Sequence, residues 1–127
     1  MLLLLGLAHF RAQVVERAKA AVAAETPADV RAIIERSAQL DATIAGLATE
    51  AAIANVDLQV VYLPGLDIAQ HGLFAADPAA AAASPSAMAA RVQAIERYYV
   101  FLDGLLSELA RDQRAVVTIT QPGRVAS

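Results

Sequence analysis

Two side chains four residues apart carry the clearest chemical possibility in this chain. Asp67 and His71 stand in the stretch Leu63-Pro64-Gly65-Leu66-Asp67-Ile68-Ala69-Gln70-His71-Gly72. On a helical turn, residues i and i+4 project from one face, which brings a carboxylate and an imidazole within reach of one ion. That donor pair suits zinc, and also manganese or iron. Structural zinc wants four ligands and catalytic zinc three plus water, so two donors begin a site without completing it. The competing reading is local: Asp67 caps the turn and His71 ends it before Gly72. The chain has no cysteine, which removes thiolate ligands, a thiol nucleophile and disulfides together. The only other histidine, His9, follows an apolar run and reads as a surface or capping residue.

The elements that would position this pair follow from the hydrophobic pattern. Val56-Asp57-Leu58-Gln59-Val60-Val61-Tyr62-Leu63 is β-branched and aromatic and reads as a strand over 56–63, stopped by Pro64-Gly65. Leu66 to His71 then forms a short helical turn. Phe74 to Ser84 is an alanine-rich loop containing Asp77-Pro78, long for a compact domain. Ser84-Pro85 is a helix-start signal. Behind it Met88, Val92, Ile95, Tyr99, Leu102, Leu106 and Leu109 step by four and three, which predicts an amphipathic helix over 85–111. On that stripe Tyr99 is expected in the core and Tyr98 half exposed. Ala115 to Thr120 reads as a second strand, stopped by Gln121-Pro122-Gly123. Upstream, Arg11 to Ala24 reads as a helix. A second, with Thr26 as cap and Pro27 at its first position, runs to about Ala54 on the period of Val30, Ile33, Ile34, Leu40, Ile44 and Leu47.

Strand, helix, strand is the order of a parallel βαβ unit. The expected fold class is therefore α/β: a partial α/β/α sandwich with strands at 56–63 and 115–120, a crossover helix at 85–111, and two helices in front. The 127 residues form a single partial domain, with 1–54 mainly helical and 55–124 the βαβ segment. One such unit cannot cover its own sheet. The remaining cover is expected from an apolar N-terminal strand, a partner chain or sequence lying outside this chain.

Composition narrows the partners. Hydrophobic residues make up 57% and charged ones 18%, which excludes a disordered chain. Alanine fills 31 of the 127 positions, so the apolar fraction overstates the area available for burial. Net charge is −3 with a pI near 5.2, and no basic patch marks a nucleic-acid partner. The apolar run Met1 to Ala8 is too short to span a bilayer, and no membrane partner is expected. Its first cation is Arg11, so a buried strand or helix start is favoured over a secretory leader. A cytoplasmic chain is correspondingly favoured over an exported one. A third reading places Met1 in the middle of a larger protein's core.

The stretch Val60 to Gly72, together with the helix and strand downstream of it, resembles the alkaline-phosphatase superfamily, and within it the type I phosphodiesterase and nucleotide pyrophosphatase-like group. In that family a strand ends in a Tyr-x-x-x-x-Asp-x-x-x-His-Gly-like segment, matched here from Tyr62 to Gly72. A long helix comes next, comparable to Leu102-Asp103-Gly104-Leu105-Leu106-Ser107-Glu108-Leu109, and then a valine-rich strand, comparable to Val116–Thr120. The resemblance covers roughly residues 56–124. It implies that Asp67 and His71 bind a divalent metal, zinc or manganese, that Phe74 and Asp77 lie on a substrate-proximal loop, and that a parent protein acts on phosphoesters.

The chain also departs from the family. Where the second strand should end in an Asp-His metal-binding pair, it has Gln121-Pro122. No Thr or Ser nucleophile motif precedes Val56; Thr26 and Thr49 stand in helical context. Two-metal hydrolysis needs one ion to activate the nucleophile and another to stabilise the leaving oxygen. The expectation is a fragment or degenerate relative of a metal-dependent phosphoester hydrolase, with no catalytic residue and inactive as an isolated chain. The alternative is a non-catalytic, mainly helical interaction module that forms a homodimer through the apolar stripe over 88–109, since a coiled coil shares that seven-residue pattern.

Overall fold

A computed structural model describes residues 2–51, 57–74, 84–111 and 117–119. Among the described residues the regular structure is four helices: α1 (Leu2–Lys19), α2 (Ala28–Ala51), α3 (Gly65–Phe74) and α4 (Pro85–Ala110). Among the described residues there is no strand, so the fold is all-helical and the expected α/β sandwich with its parallel βαβ unit is overturned.

Local signals explain where the helices begin. At α4, Ser84 adopts an extended backbone and its side chain accepts a hydrogen bond from the Ala87 N–H at 3.1 Å, while Pro85 opens the helix. The cap satisfies a donor that has no intrahelical partner, and proline costs nothing where no N–H is needed. At α2, the Pro27 carbonyl takes the first helical bond from the Arg31 N–H, and Asp29 sits in the positively polarised first turn. Helix α1 starts earlier than expected. The leucine run is helical from Leu2, and the helix ends at Lys19 rather than Ala24.

Helix α2 is the hub, and α1, α3 and α4 all pack on it. Its inward face consists of Val30, Ile34, Ser37, Ala38, Asp41, Ala42 and Ala45, all buried. Alanines from α1, α3, α4 and the turn after α1 meet that face at Ala18, Ala21, Ala69 and Ala94. Small side chains let helix axes approach closely. The larger contacts come from a few residues: Val14, Leu73, Ile95, Tyr98, Phe101 and Leu105. Tyr98 and Phe101 meet edge to face, with ring centroids 5.4 Å apart, a favoured aromatic geometry. Arginines tie off carbonyls at helix ends and in the α1–α2 loop. Arg31 donates to the Ala24 and Ala23 carbonyls at 2.7 and 3.2 Å, Arg91 to Leu73 at 2.9 Å, and Arg97 to Ala20 at 3.2 Å. An Arg17–Glu108 ion pair of 3.0 Å adds a link between α1 and α4.

Several expectations are corrected here. Over 57–63 the chain forms no strand (Val56 lies outside the described residues). Its side chains still alternate: Leu58, Val60 and Tyr62 face solvent, and Gln59, Val61 and Leu63 are half buried. The β-branched composition favours a pleated surface, but that preference takes effect only when a neighbouring strand pairs the backbone and packs the side chains. Residues 117–119 of the expected second strand are irregular, and Val117 and Ile119 are exposed; Ala115, Val116 and Thr120 lie outside the described residues. On α4 the buried tyrosine is Tyr98, and Tyr99 is exposed. A seven-residue pattern leaves the orientation of a helix free by about one position. Packing against α2 selected the face of Ala94, Tyr98, Phe101 and Leu105 instead.

Candidate functional site

The predicted pair sits on α3. Asp67 lies in its first turn and His71 in its last, and both are solvent-facing. The i,i+4 spacing does bring them together: His71 Nδ1 is 3.4 Å from Asp67 Oδ1 and 2.9 Å from the Asp67 carbonyl oxygen. A carbonyl only accepts, so the shorter contact places the proton on Nδ1 and leaves Nε2 free. The carboxylate therefore flanks the protonated side of the ring, away from the nitrogen that could ligate. Chelation of one ion by both groups would require a side-chain rotation. Among the described residues no group of three or more His, Asp or Glu side chains converges on a common point, so no third ligand joins this pair. In this arrangement the two residues form a helix-terminal hydrogen-bonded pair. Phe74 ends α3 and is exposed, and Asp77 lies outside the described residues, as does Gln121.

The densest polar chemistry lies elsewhere, at a residue the hydrophobic pattern passed over. Asp41, in the middle of α2, is fully buried. Its Oδ1 accepts the Gly65 N–H at 2.8 Å and its Oδ2 accepts the Tyr98 hydroxyl at 2.8 Å. One carboxylate thus joins α2 to the start of α3 and the middle of α4. Gly65 must be glycine here, because a Cβ would overlap the Tyr98 hydroxyl and the Asp41 carboxylate. Burial raises the Asp41 pKa above its ordinary value, and the bonds from Gly65 and Tyr98 oppose that rise. The Tyr98 pKa is also raised, first by burial and then by the neighbouring carboxylate, so its hydroxyl keeps its proton. One turn earlier on the same face, the Ser37 hydroxyl is buried and has no hydrogen-bond partner among the described residues.

This junction is closed to solvent. A half-open hollow of about 210 Å³ lies between the α1–α2 loop and α4, lined in part by Glu25, Thr26, Gln93 and Arg97. It includes none of Asp41, Tyr98, Asp67 and His71. A sequence signal for Asp41 did exist. Ile34, Ala38, Ala42 and Ala45 form an unbroken stripe of apolar residues, and Ser37 and Asp41 fall inside it. The larger residues Leu40 and Leu47 defined a different stripe, and both are exposed.

The apolar stripe over 88–109 is divided between two environments. Ile95 is buried, Leu102 and Leu109 pack against the core, and Val92 and Tyr99 are exposed. Exposed large side chains also gather elsewhere: Leu4, Leu5 and Leu7 on α1, Leu47 on α2, and Leu58, Val60 and Tyr62 on the segment before α3. Among the described residues no helix is long and apolar enough to cross a membrane.

The resemblance to the alkaline-phosphatase superfamily placed Asp67 beyond the end of a strand in an α/β sheet, and that frame is replaced here by a helix packed on a helix. No family model, no curated protein and no solved structure matches this chain.

Proposed function

We propose that this chain is a non-catalytic helical interaction module that works by associating with a second copy of itself. The observation that carries this reading is the exposed apolar surface. Leu4, Leu5, Leu7, Leu47, Leu58, Val60, Tyr62 and Val100 each leave more than half of their surface in solvent. Single exposed leucines are ordinary, but several on adjoining turns mark an interaction surface. The groups able to do chemistry support the same reading: the Tyr98 hydroxyl donates to the Asp41 carboxylate away from solvent, and the His71 ring bonds the Asp67 backbone carbonyl on an open face.

Sedimentation velocity over a range of concentrations tests it. The expected result is a shift from the 13.3 kDa chain towards twice that mass as concentration rises, with a melting temperature that rises in parallel. A monomer at every concentration would overturn the reading. The same material is to be assayed with a chromogenic phosphodiester in zinc or manganese. No turnover is expected; turnover that vanishes in Asp67→Ala and His71→Ala would restore the hydrolase reading. A zinc-induced rise in melting temperature that His71→Ala abolishes would make the α3 pair a metal site.

A further inference from the structure

We infer that the leucine-rich first two turns of α1 are the surface through which two copies associate, an inference that rests on the self-association proposed above and names its site. The inward stripe of α1 and the turn after it runs through Ala21, Ala18, Val14 and Phe10. The first three are buried, and Phe10 packs on the core beside Gly46 of α2. Continuing by three, the next member is Leu7, yet 53% of its surface is free. The core-facing stripe of α1 is therefore longer than the cover the described residues provide. Leu4, one turn before Leu7 on the same side of the helix, is 70% exposed.

Charge selects the occupant. The antiparallel contact of Phe10 with Gly46 places the end of α2, with Glu50, alongside the start of α1. Gln59 donates to the Ala48 carbonyl at 2.8 Å, which holds the segment carrying Asp57 at that end too. The leucines are thus framed by exposed Arg11 on one helix and by exposed Glu50 and Asp57 on the neighbouring elements. A rim bearing both signs is self-complementary under a two-fold axis, where Arg11 meets the partner subunit's Glu50. An anionic bilayer would instead meet two carboxylates on a chain of net charge −3. Leu4, Leu7, Leu47 and Leu58 offer roughly 400 Å² per chain, so about 800 Å² in a dimer, below the size of a standard specific interface. The dimer is accordingly weak and concentration-dependent.

The test uses the full chain. Leu4→Gln with Leu7→Gln alters only exposed side chains, so helicity by circular dichroism should match the parent, while dimer dissociation should become about tenfold easier or more. Val92→Gln with Tyr99→Gln on α4 should leave dimerisation unchanged. Arg11→Glu should weaken the dimer, and adding Glu50→Arg should restore it. If the α4 pair breaks the dimer and the α1 pair does not, the site is wrong and self-association stands. If the parent chain is monomeric throughout, both fail. If it stays monomeric but binds phosphatidylserine vesicles through Leu4 and Leu7, the surface is right and its occupant is lipid, which also overturns the inference.

Discussion

The junction around Asp41 and the exposed start of α1 are opposites in how well they are satisfied. At the junction, a carboxylate removed from solvent is held by two donors from two other helices. At the start of α1, leucines continue a core stripe into solvent. A buried polar group is costly unless every partner is in place, so the junction demands one arrangement of α2, α3 and α4. An exposed leucine demands nothing of its own chain and favours whatever apolar surface reaches it. The junction therefore governs whether the helices assemble correctly, and the leucines govern what the assembled chain meets. Mutations at the two regions should separate stability from association.

The largest effect is expected from Gly65→Ala. Its added methyl group would overlap the Tyr98 hydroxyl and the Asp41 carboxylate where neither can move into free space. A loss of about 4 kcal/mol in chemical denaturation is expected, the upper range for overpacking combined with a broken buried bond. Asp41→Ala should cost about 3 kcal/mol, because the Gly65 N–H and the Tyr98 hydroxyl both lose their buried acceptor. A loss below about 1 kcal/mol for both changes would mean that the junction does not organise the bundle.

Tyr98→Phe keeps the ring and the edge contact with Phe101 but removes one donor from a buried carboxylate. It should cost about 2 kcal/mol at neutral pH. The smallest effect sharpens the electrostatic side. The folded-state pKa of Asp41 is raised above its unfolded value, so the folded chain binds a proton more readily than the unfolded one. The stability linked to that proton is fully present below the unfolded value of about 3.8 and is lost as pH rises through the raised folded value. Asp41→Asn keeps the Gly65 bond on its amide oxygen but reverses the other, its amide N–H donating to the Tyr98 oxygen and leaving the hydroxyl proton without its acceptor. It should cost about 1 kcal/mol at pH 7, less than Asp41→Ala, with that cost growing on acidification. A difference between parent and variant that stays flat with pH would show that Asp41 does not carry the linkage. In contrast to all four, Leu4→Gln with Leu7→Gln should change monomer stability little while weakening association.

The helices were legible in the sequence through signals contained within a few residues. Ser84-Pro85 marked the start of α4, Thr26-Pro27 the approach to α2, and the four-residue step from Asp67 to His71 their proximity on one turn. Strand formation was not legible in the same way. Leu58 to Leu63 has the composition of a strand and even alternates in exposure, but a strand exists only as one side of a ladder, and no described neighbour supplies the other. The seven-residue pattern of α4 likewise admitted two neighbouring faces, and Tyr98 rather than Tyr99 turned inward.

The chain's own residues thus determined that α2 and α4 would be helices, that Ser84 would cap α4, and that alanine would fill much of what they bury. Only the tertiary packing decided which face of each helix is core. Burial is a property of a position relative to its neighbours, and Asp41 and Gly65 are 24 residues apart. A carboxylate that is unremarkable in the α2 sequence becomes the central tie of the fold because Gly65 and Tyr98 arrive beside it. Leu4 and Leu7, apolar enough for a core, stay in solvent because no described part of the chain covers them.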